Sequence, residues 1–305
     1  MQCFLITGCS GFVGSALVDK LLNYGYKVIG IGRKEQGLLS TETFNHPNFS
    51  FHKADLTSDK LDDIQDEIHG VFHLASVQPD SHLSFSDYYS GNVLATLNIL
   101  EFTKQRKIPF FVYTSTTTVL DKLHQGQIMD EHANCAPTNY YGISKYTAER
   151  LVDVELQNTS TKGIVLRLPS LYGKKSEGGL VYTYFKAALE NTPIQIYGNG
   201  QKLRNILYID DVVQLLFSII NQHAHLASFE VFMAGSNYSL KMIEIANIIC
   251  QALNSKSDCL PIDKPTNPNT DIVIDVSKAK QLLDFAPKSI EENLNIYIKE
   301  MLHGA

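Results

Sequence analysis

The sequence predicts a doubly wound α/β fold, a parallel sheet with helices on both faces, carrying a smaller α+β lobe. Three observations lead there. From residue 1 to about 170, short apolar runs alternate with amphipathic stretches, the pattern of parallel strands joined by crossover helices. The first apolar run passes directly into a glycine-rich turn and then a helical pattern. After Tyr172 the alternation gives way to irregular segments.

Candidate strands are 3–6, 27–31, 49–52, 71–74, 109–114 and 163–167, and each stretch between them is long enough for a crossover helix. Cys3-Phe4-Leu5-Ile6 is apolar throughout, as a buried strand requires. Val13, Leu17, Leu21 and Leu22 mark the buried face of the first helix. Lys174–Gly179 is polar, Pro193–Gly200 reads as a short strand and turn, and 254–270 is rich in Asn, Asp, Lys and Pro. Residues 206–222 and 229–234 are expected to return to the main sheet. The larger domain is therefore 1–170 with returning segments near 206–234, and the lobe is 171–205 plus 235–305. No internal repeat or low-complexity segment is present.

The turn is Thr7-Gly8-Cys9-Ser10-Gly11-Phe12-Val13-Gly14. Strand, glycine turn and helix in that order form the context of a dinucleotide-binding loop. Gly8 and Gly11 allow a tight turn and close approach to a pyrophosphate. Gly14 lets the helix pack on the sheet, and the helix start offers free N–H groups to an anion. The spacing, Gly-x-x-Gly-x-x-Gly, departs from the usual Gly-x-Gly-x-x-Gly.

Tyr141 and Lys145 stand four apart, so on a helix they share a face. A nearby ammonium favours phenolate and draws a tyrosine towards the range of an acid–base catalyst. Such a pair also describes many solvated helix faces; the glycine turn at the other end of the chain gives it meaning. The neighbouring Tyr140 has Ser144 at i+4, which supplies no charge.

The order of these and further blocks resembles the extended short-chain dehydrogenase/reductases, the nucleotide-sugar epimerase/dehydratase/reductase group, over about residues 2–290. Ala54-Asp55-Leu56 is similar to the family's adenine-contacting acidic turn, and Val71–Ser76 to its His-x-Ala segment beside the nicotinamide ribose. Asn92–Leu100 resembles the central helix. Phe111–Val119 resembles the strand end bearing the catalytic serine or threonine, which by count is Thr116. Leu166–Gly173 and Arg204–Val212 are further family-like blocks.

The resemblance implies a Rossmann sheet and a catalytic trio of Thr116, Tyr141 and Lys145. Tyr141 would exchange a proton with the substrate, Lys145 would hold the nicotinamide ribose, and Thr116 would bind the reacting oxygen. It implies cofactor contacts from Gly8, Ser10, Gly11, Phe12, Val13, Gly14, Asp55, Leu56, Leu74, Ala75, Ser76, Thr114 and Leu168, besides Tyr141 and Lys145. Thr116, Tyr141, Ile196 and Arg204 would contact the substrate, Arg204 at its pyrophosphate and Ile196 in the strand lining its base. A second family arginine has no counterpart in Pro265–Asn269.

Cofactor choice rests on the end of the second strand. An NAD site places an acidic residue there for the ribose 2′-OH. This chain has Gly32 followed by Arg33 and Lys34, which removes a repulsive carboxylate and supplies cations for a 2′-phosphate. NADP(H) is the expected cofactor, with NAD(H) the alternative.

Thr117-Thr118 follow Thr116 where the family's dehydratases carry Asp-Glu, which argues against 4,6-dehydration. The ten histidines show no His-x-x-x-His or His/Cys clustering, so metal catalysis has no support. The leading expectation is an NADP(H)-dependent oxidoreductase reducing a nucleotide-activated 4-keto sugar. The alternative is a 4-epimerase that retains NAD, and a remote third is a non-catalytic dinucleotide sensor.

Composition sets the outer bounds. A chain of 305 residues, 44% apolar and 19% charged, can bury a sizeable core. A net charge of −6 gives no general attraction to nucleic acid or anionic membrane. Five cysteines without a Cys-x-x-Cys pair suit a reducing compartment. No stretch reads as a membrane span, and the first strand follows Met1 too closely for a signal peptide, so a cytoplasmic enzyme is expected. The helices from Asn92 and from Tyr141 carry surplus apolar positions, and the resemblance, whose members pair these two helices across a two-fold axis, implies a homodimer.

Overall fold

Every residue of Cys3–Thr7 is buried, and its side chains alternate between two cores. In the computed structural model, which describes residues 1–35, 37–120, 127–264 and 271–303, Phe4 and Ile6 join one apolar cluster while Cys3 and Leu5 join another. A strand buried on both sides sits at the middle of a sheet with helices above and below.

In chain order the strands are β1 (Cys3–Thr7), β2 (Lys27–Gly32), β3 (Phe49–Lys53), β4 (Gly70–His73), β5 (Phe110–Thr116), β6 (Lys162–Leu168) and β7 (Ser170–Tyr172). Then come β8 (Ile194–Tyr197), β9 (Leu203–Arg204), β10 (Ile206–Tyr208), β11 (Phe229–Met233), β12 (Leu240–Lys241) and β13 (Cys259–Ile262). The helices are α1 (Phe12–Asn23), α2 (Thr41–Phe44), α3 (Phe85–Tyr88), α4 (Ala95–Gln105), α5 (Tyr140–Leu156), α6 (Gly179–Leu189) and α7 (Ile209–Gln222). The last three are α8 (Met242–Leu253), α9 (Ser277–Leu283) and α10 (Ile290–His303).

Seven strands form one parallel sheet, ordered β11-β6-β5-β4-β1-β2-β3. Residues of α1 and α7 fill the core on one face, and residues of α4 and α5 the core on the other. The order reverses beside β1, so the carboxyl ends of β1 and β4 open a crevice, the position where ligands bind in open α/β sheets.

Two expectations need correction. Residues 206–208 do not enter the main sheet; β10 pairs with β7 in a separate two-stranded ladder. Pro169, lying between β6 and β7, has no N–H to give a ladder, which lets the chain leave the sheet there. The connection from β3 to β4 carries no helix among the described residues, although Leu61, Ile64 and Ile68 bury into the core beneath it. Its local bonds are turns instead: Asp55 Oδ1 accepts from Thr57 N–H at 2.9 Å, and Asp55 N–H donates to Asp59 Oδ2 at 2.7 Å.

Beyond β6 the chain builds smaller ladders, β12 with β9 and β13 with β8. Helices α6, α8 and α10 pack together with these ladders. No helix among the described residues is long and apolar enough to cross a membrane.

Candidate active site

The glycine turn is shaped by contacts that leave no room for side chains. Gly8 has φ of 67°, and a Cβ there would lie 2.8 Å from the backbone of Ala75. A Cβ on Gly14 would stand 2.1 Å from the Gly8 carbonyl oxygen. The turn is tied to β2 by Gly8 N–H donating to Ile31 O at 2.9 Å. No side chain caps α1 at Gly11, so the first-turn N–H groups and the positive end of the helix dipole are available to an anion. This cradle fits a dinucleotide pyrophosphate.

A cavity of about 1880 Å³ runs from this turn across the carboxyl ends of the strands. That exceeds the roughly 300–1,000 Å³ of an ordinary small-molecule cleft and suits two ligands side by side. The sequence-derived cofactor residues Gly8, Ser10–Gly14, Arg33, Lys34, Asp55, Leu56, Leu74–Ser76, Thr114 and Leu168 line it, as do Thr116, Tyr141 and Lys145. Ile196 does not line it: the side chain is fully buried, while its neighbour Tyr197 is exposed. Arg204 is also outside the cavity lining; it is buried and donates to Leu203 O at 2.8 Å. Burial lowers the Arg204 pKa, and Asp271 opposes that shift. The absence of a second arginine noted at Pro265–Asn269 concerns residues outside the described ones.

The helix bearing the trio starts at a polar cap, Asn139 Oδ1 accepting from Gly142 N–H at 2.8 Å. Tyr141, Lys145 and Glu149 then recur every four residues along one face. Burial pushes the Tyr141 phenol up to about 12, while the hydroxyls of Ser76 and Thr116 hydrogen-bond it and work the other way. Two hydroxyls therefore favour the phenolate against burial, and the expected direct lowering by Lys145 is not among the effects acting on the phenol. Lys145 itself is brought down to about 7 by burial, with Glu149 opposing. Its Nζ donates to Ser76 Oγ at 3.5 Å and lies 4.2 Å from the centre of the Tyr113 ring.

Asn92 links these groups, a role sequence reading missed. It lies in a π-helical turn, Tyr89–Leu94, that precedes α4, and such turns are frequent at functional sites. Asn92 Oδ1 accepts from Ser76 Oγ at 3.1 Å and from Val77 N–H at 2.7 Å. Its Nδ2 donates to Ser144 Oγ at 2.9 Å. The loop after β4 is thus bound to the residue preceding Lys145. An asparagine among Val93, Leu94 and Ala95 was the only sequence signal for this role. Below it, His73 meets the hydroxyls of Thr7 and Thr96 at 2.7 and 3.0 Å. Burial, helped by the Lys145 charge, drives its pKa down to about 3 and keeps the ring neutral.

At the adenosine end, Arg33 and Lys34 line the cavity beside Gly32. A Cβ on Gly32 would make only ordinary contacts, 3.4 Å to Phe51 and 3.5 Å to Ser10 Oγ. Two hydrogen bonds from Thr57 hold the Asp55 carboxyl below its usual range, and Arg33 adds to the effect. Leu38 N–H donates to Ser10 O at 2.9 Å, and Lys175 Nζ, from beyond β7, donates to Leu38 O at 3.0 Å. The segment after β2 is thereby pinned over the glycine turn. Among the described residues, no three His, Cys, Asp or Glu side chains gather as a metal site.

A family model described as the NAD dependent epimerase/dehydratase family matches residues 4–235. The protein named "Uncharacterized UDP-glucose epimerase YtcB" of Bacillus subtilis (strain 168) is 28% identical, covering 98% of this chain and 99% of its own. UDP-glucuronic acid decarboxylase 4 of Arabidopsis thaliana is also 28% identical, over 97% of this chain and 68% of its own. The solved structure of MoeE5 in complex with UDP-glucose and NAD superposes with a TM-score of 0.85 at 25% identity, covering 99% of each chain.

Proposed function

The chain belongs to the NAD dependent epimerase/dehydratase family, and from that membership we propose that it is a nucleotide-sugar 4-epimerase retaining its dinucleotide through each turnover. It is an enzyme of the extended short-chain dehydrogenase/reductase type. The observation that carries the epimerase reading is the pinned segment at Leu38, held by Ser10 and Lys175. An epimerase has no need to release its cofactor, whereas a reductase must exchange it every cycle. The full-length relative named as a UDP-glucose epimerase and the neighbour holding UDP-glucose with NAD support UDP-glucose as the substrate to try first.

Bound in the cavity, the nicotinamide would accept and return hydride at the sugar C4. Tyr141 takes the proton of the 4-hydroxyl and gives it back after the sugar ring has turned its other face. Thr116 holds the same oxygen, and the Lys145 ammonium faces the ribose side through Ser76. Ser10, Gly11 and the first turn of α1 hold the pyrophosphate. The nucleotide end of the substrate would lie towards Ser170, Leu171 and Ile272, which line the cavity on the side of the smaller lobe. A homodimer in the cytoplasm is the proposed working form, in keeping with five free thiols.

The test is to supply UDP-glucose to the purified protein without added cofactor. Formation of UDP-galactose supports the proposal. A second reading, reduction of a 4-keto sugar by NADPH, is favoured by Arg33 and Lys34 beside Gly32. Stoichiometric NADPH consumption with a 4-keto nucleotide sugar, and no epimerisation, would replace the first reading with the second.

A further inference from the structure

We propose that Thr118 is a positioning residue whose hydroxyl, by reversing its hydrogen bond with Thr116, releases the Thr116 proton to the reacting oxygen. The proposal rests on the assignment of Thr116 and Tyr141 to proton handling. Thr116 Oγ1 accepts from Thr118 N–H at 3.1 Å, capping the 3-10 turn Thr117–Val119. The two Oγ1 atoms are 3.0 Å apart, with Thr116 donating to Thr118. A backbone N–H can only donate, so the Thr116 oxygen is anchored and only its proton can turn.

That geometry sets a condition on the chemistry. While Thr116 donates to Thr118, its single proton is not directed at a substrate oxygen. A hydroxyl can donate and accept, so the pair can invert. Thr118 then donates to Thr116, and Thr116 donates onward to the sugar oxygen or the Tyr141 phenol. In that state Thr116 accepts twice and donates once, and each bond polarises the next. The Thr116 hydroxyl is within reach of the Tyr141 phenol, and its proton turned that way favours phenolate.

The turn also has a built seat on the helix that carries the phenol. A Cβ on Gly142 would lie 2.7 Å from the Thr118 carbonyl oxygen. Glycine next to Tyr141 thus lets the threonine turn rest directly on the first turn of α5. Thr117 and Thr118 line the same cavity as Thr116 and Tyr141, at the two positions where the family's dehydratases carry Asp-Glu.

Thr118→Val keeps the shape and removes the hydroxyl, and Thr118→Ser keeps the hydroxyl. With UDP-glucose as probe, Thr118→Val should lower kcat about tenfold while KM and dinucleotide affinity stay within about twofold. The limb of the pH–rate profile that requires phenolate should move to higher pH, and Thr118→Ser should restore most of both. Wild-type kcat and an unmoved pH limb in Thr118→Val would overturn the proposal. If that variant fails to fold, Thr118→Ala carries the same comparison. A substrate-independent arm is the ¹³Cζ-tyrosine signal of Tyr141, assigned by its loss in Tyr141→Phe. Its titration should lie higher in Thr118→Val even if UDP-glucose is not turned over. An unshifted titration beside intact epimerisation sinks the relay and leaves the proposed function standing.

Discussion

Glu149 and Arg167 form a buried ion pair that docks α5, the helix of Tyr141 and Lys145, on the sheet. Arg167 Nε donates to both Glu149 oxygens at 3.2 Å, and Nη2 reaches Oε2 at 2.8 Å. Both side chains are almost fully enclosed. Glu149 lies four residues beyond Lys145 on the same face of α5 and raises the lysine pKa against the effect of burial. One carboxylate thus supports two buried cations.

Glu149→Gln should therefore be costly. It leaves the Arg167 charge buried without its counter-charge, a change typically worth about 3–5 kcal/mol. Urea denaturation should show a loss of that size, and Glu149→Gln with Arg167→Met should recover part of it. A double variant no more stable than Glu149→Gln alone would place the loss in packing rather than charge.

Tyr141→Phe should remove nearly all turnover and leave dinucleotide affinity almost unchanged. The ring still packs, at 6.3 Å from Tyr88, but no group exchanges the proton. Residual activity above about a tenth of wild type would show that another group carries the acid–base role.

Much of this site was legible because its parts are local. Gly8, Gly11 and Gly14 are spaced by the geometry of one turn, and Tyr141 and Lys145 by one helical period. What escaped depends on which chain segments meet. Ser76, Asn92 and Ser144 join through side chains from three separate elements, and no spacing within one segment reveals that. The expected phenolate-favouring effect of Lys145 was misjudged for the same reason, since burial is set by the whole fold. The β3–β4 connection has the length of a crossover helix, but Asp55 forms a turn there while Leu61, Ile64 and Ile68 still reach the core.

Stability should depend on pH through Lys145. Its folded pKa, about 7, lies below the 10.5 of an exposed lysine. Between those values the unfolded chain holds a proton that the folded chain does not, so the term increases stability as pH rises. Below about 7 both states are protonated and the burial penalty is constant. Cys3 and Cys9, pushed up to about 11 and about 12 by burial, act in the opposite sense above pH 9. The clean window is therefore pH 7 to 9. Unfolding free energies for wild type and Lys145→Met should diverge in slope across it, and parallel curves would refute the buried-ammonium account.

Assembly can be tested on α5. Tyr140, Ile143 and Val154 remain exposed on this helix, beside exposed Phe85 and Tyr89. The rings of Phe85, Tyr89 and Tyr140 adjoin one another, and exposed apolar surface of this kind is where an interface is sought. Light scattering at micromolar concentration should give the mass of a dimer, and Ile143→Glu with Val154→Glu should give a monomer. A monomeric wild type would rule out this interface.

Cofactor preference also separates the two functional readings. A 2′-phosphate brings close to two negative charges into a chain of net charge −6, so local cations must hold it. Arg33 and Lys34 line the cavity at the end of β2, with Ser10 Oγ next to Gly32. A charge-assisted contact is worth roughly 1.5–3 kcal/mol, or about tenfold to a hundredfold in affinity. If these residues grip a 2′-phosphate, NADPH should bind at least about tenfold tighter than NADH, and Arg33→Ala should erase most of the difference. Gly32→Asp has room for its Cβ and should reverse the preference by accepting from a 2′-OH and repelling phosphate. If NADH instead binds as well as NADPH, Arg33 belongs with Asp55, whose carboxyl it already helps to keep charged. Titration of both dinucleotides into wild type distinguishes the cases, and tight NADH binding with NAD retained through purification is the outcome the epimerase requires.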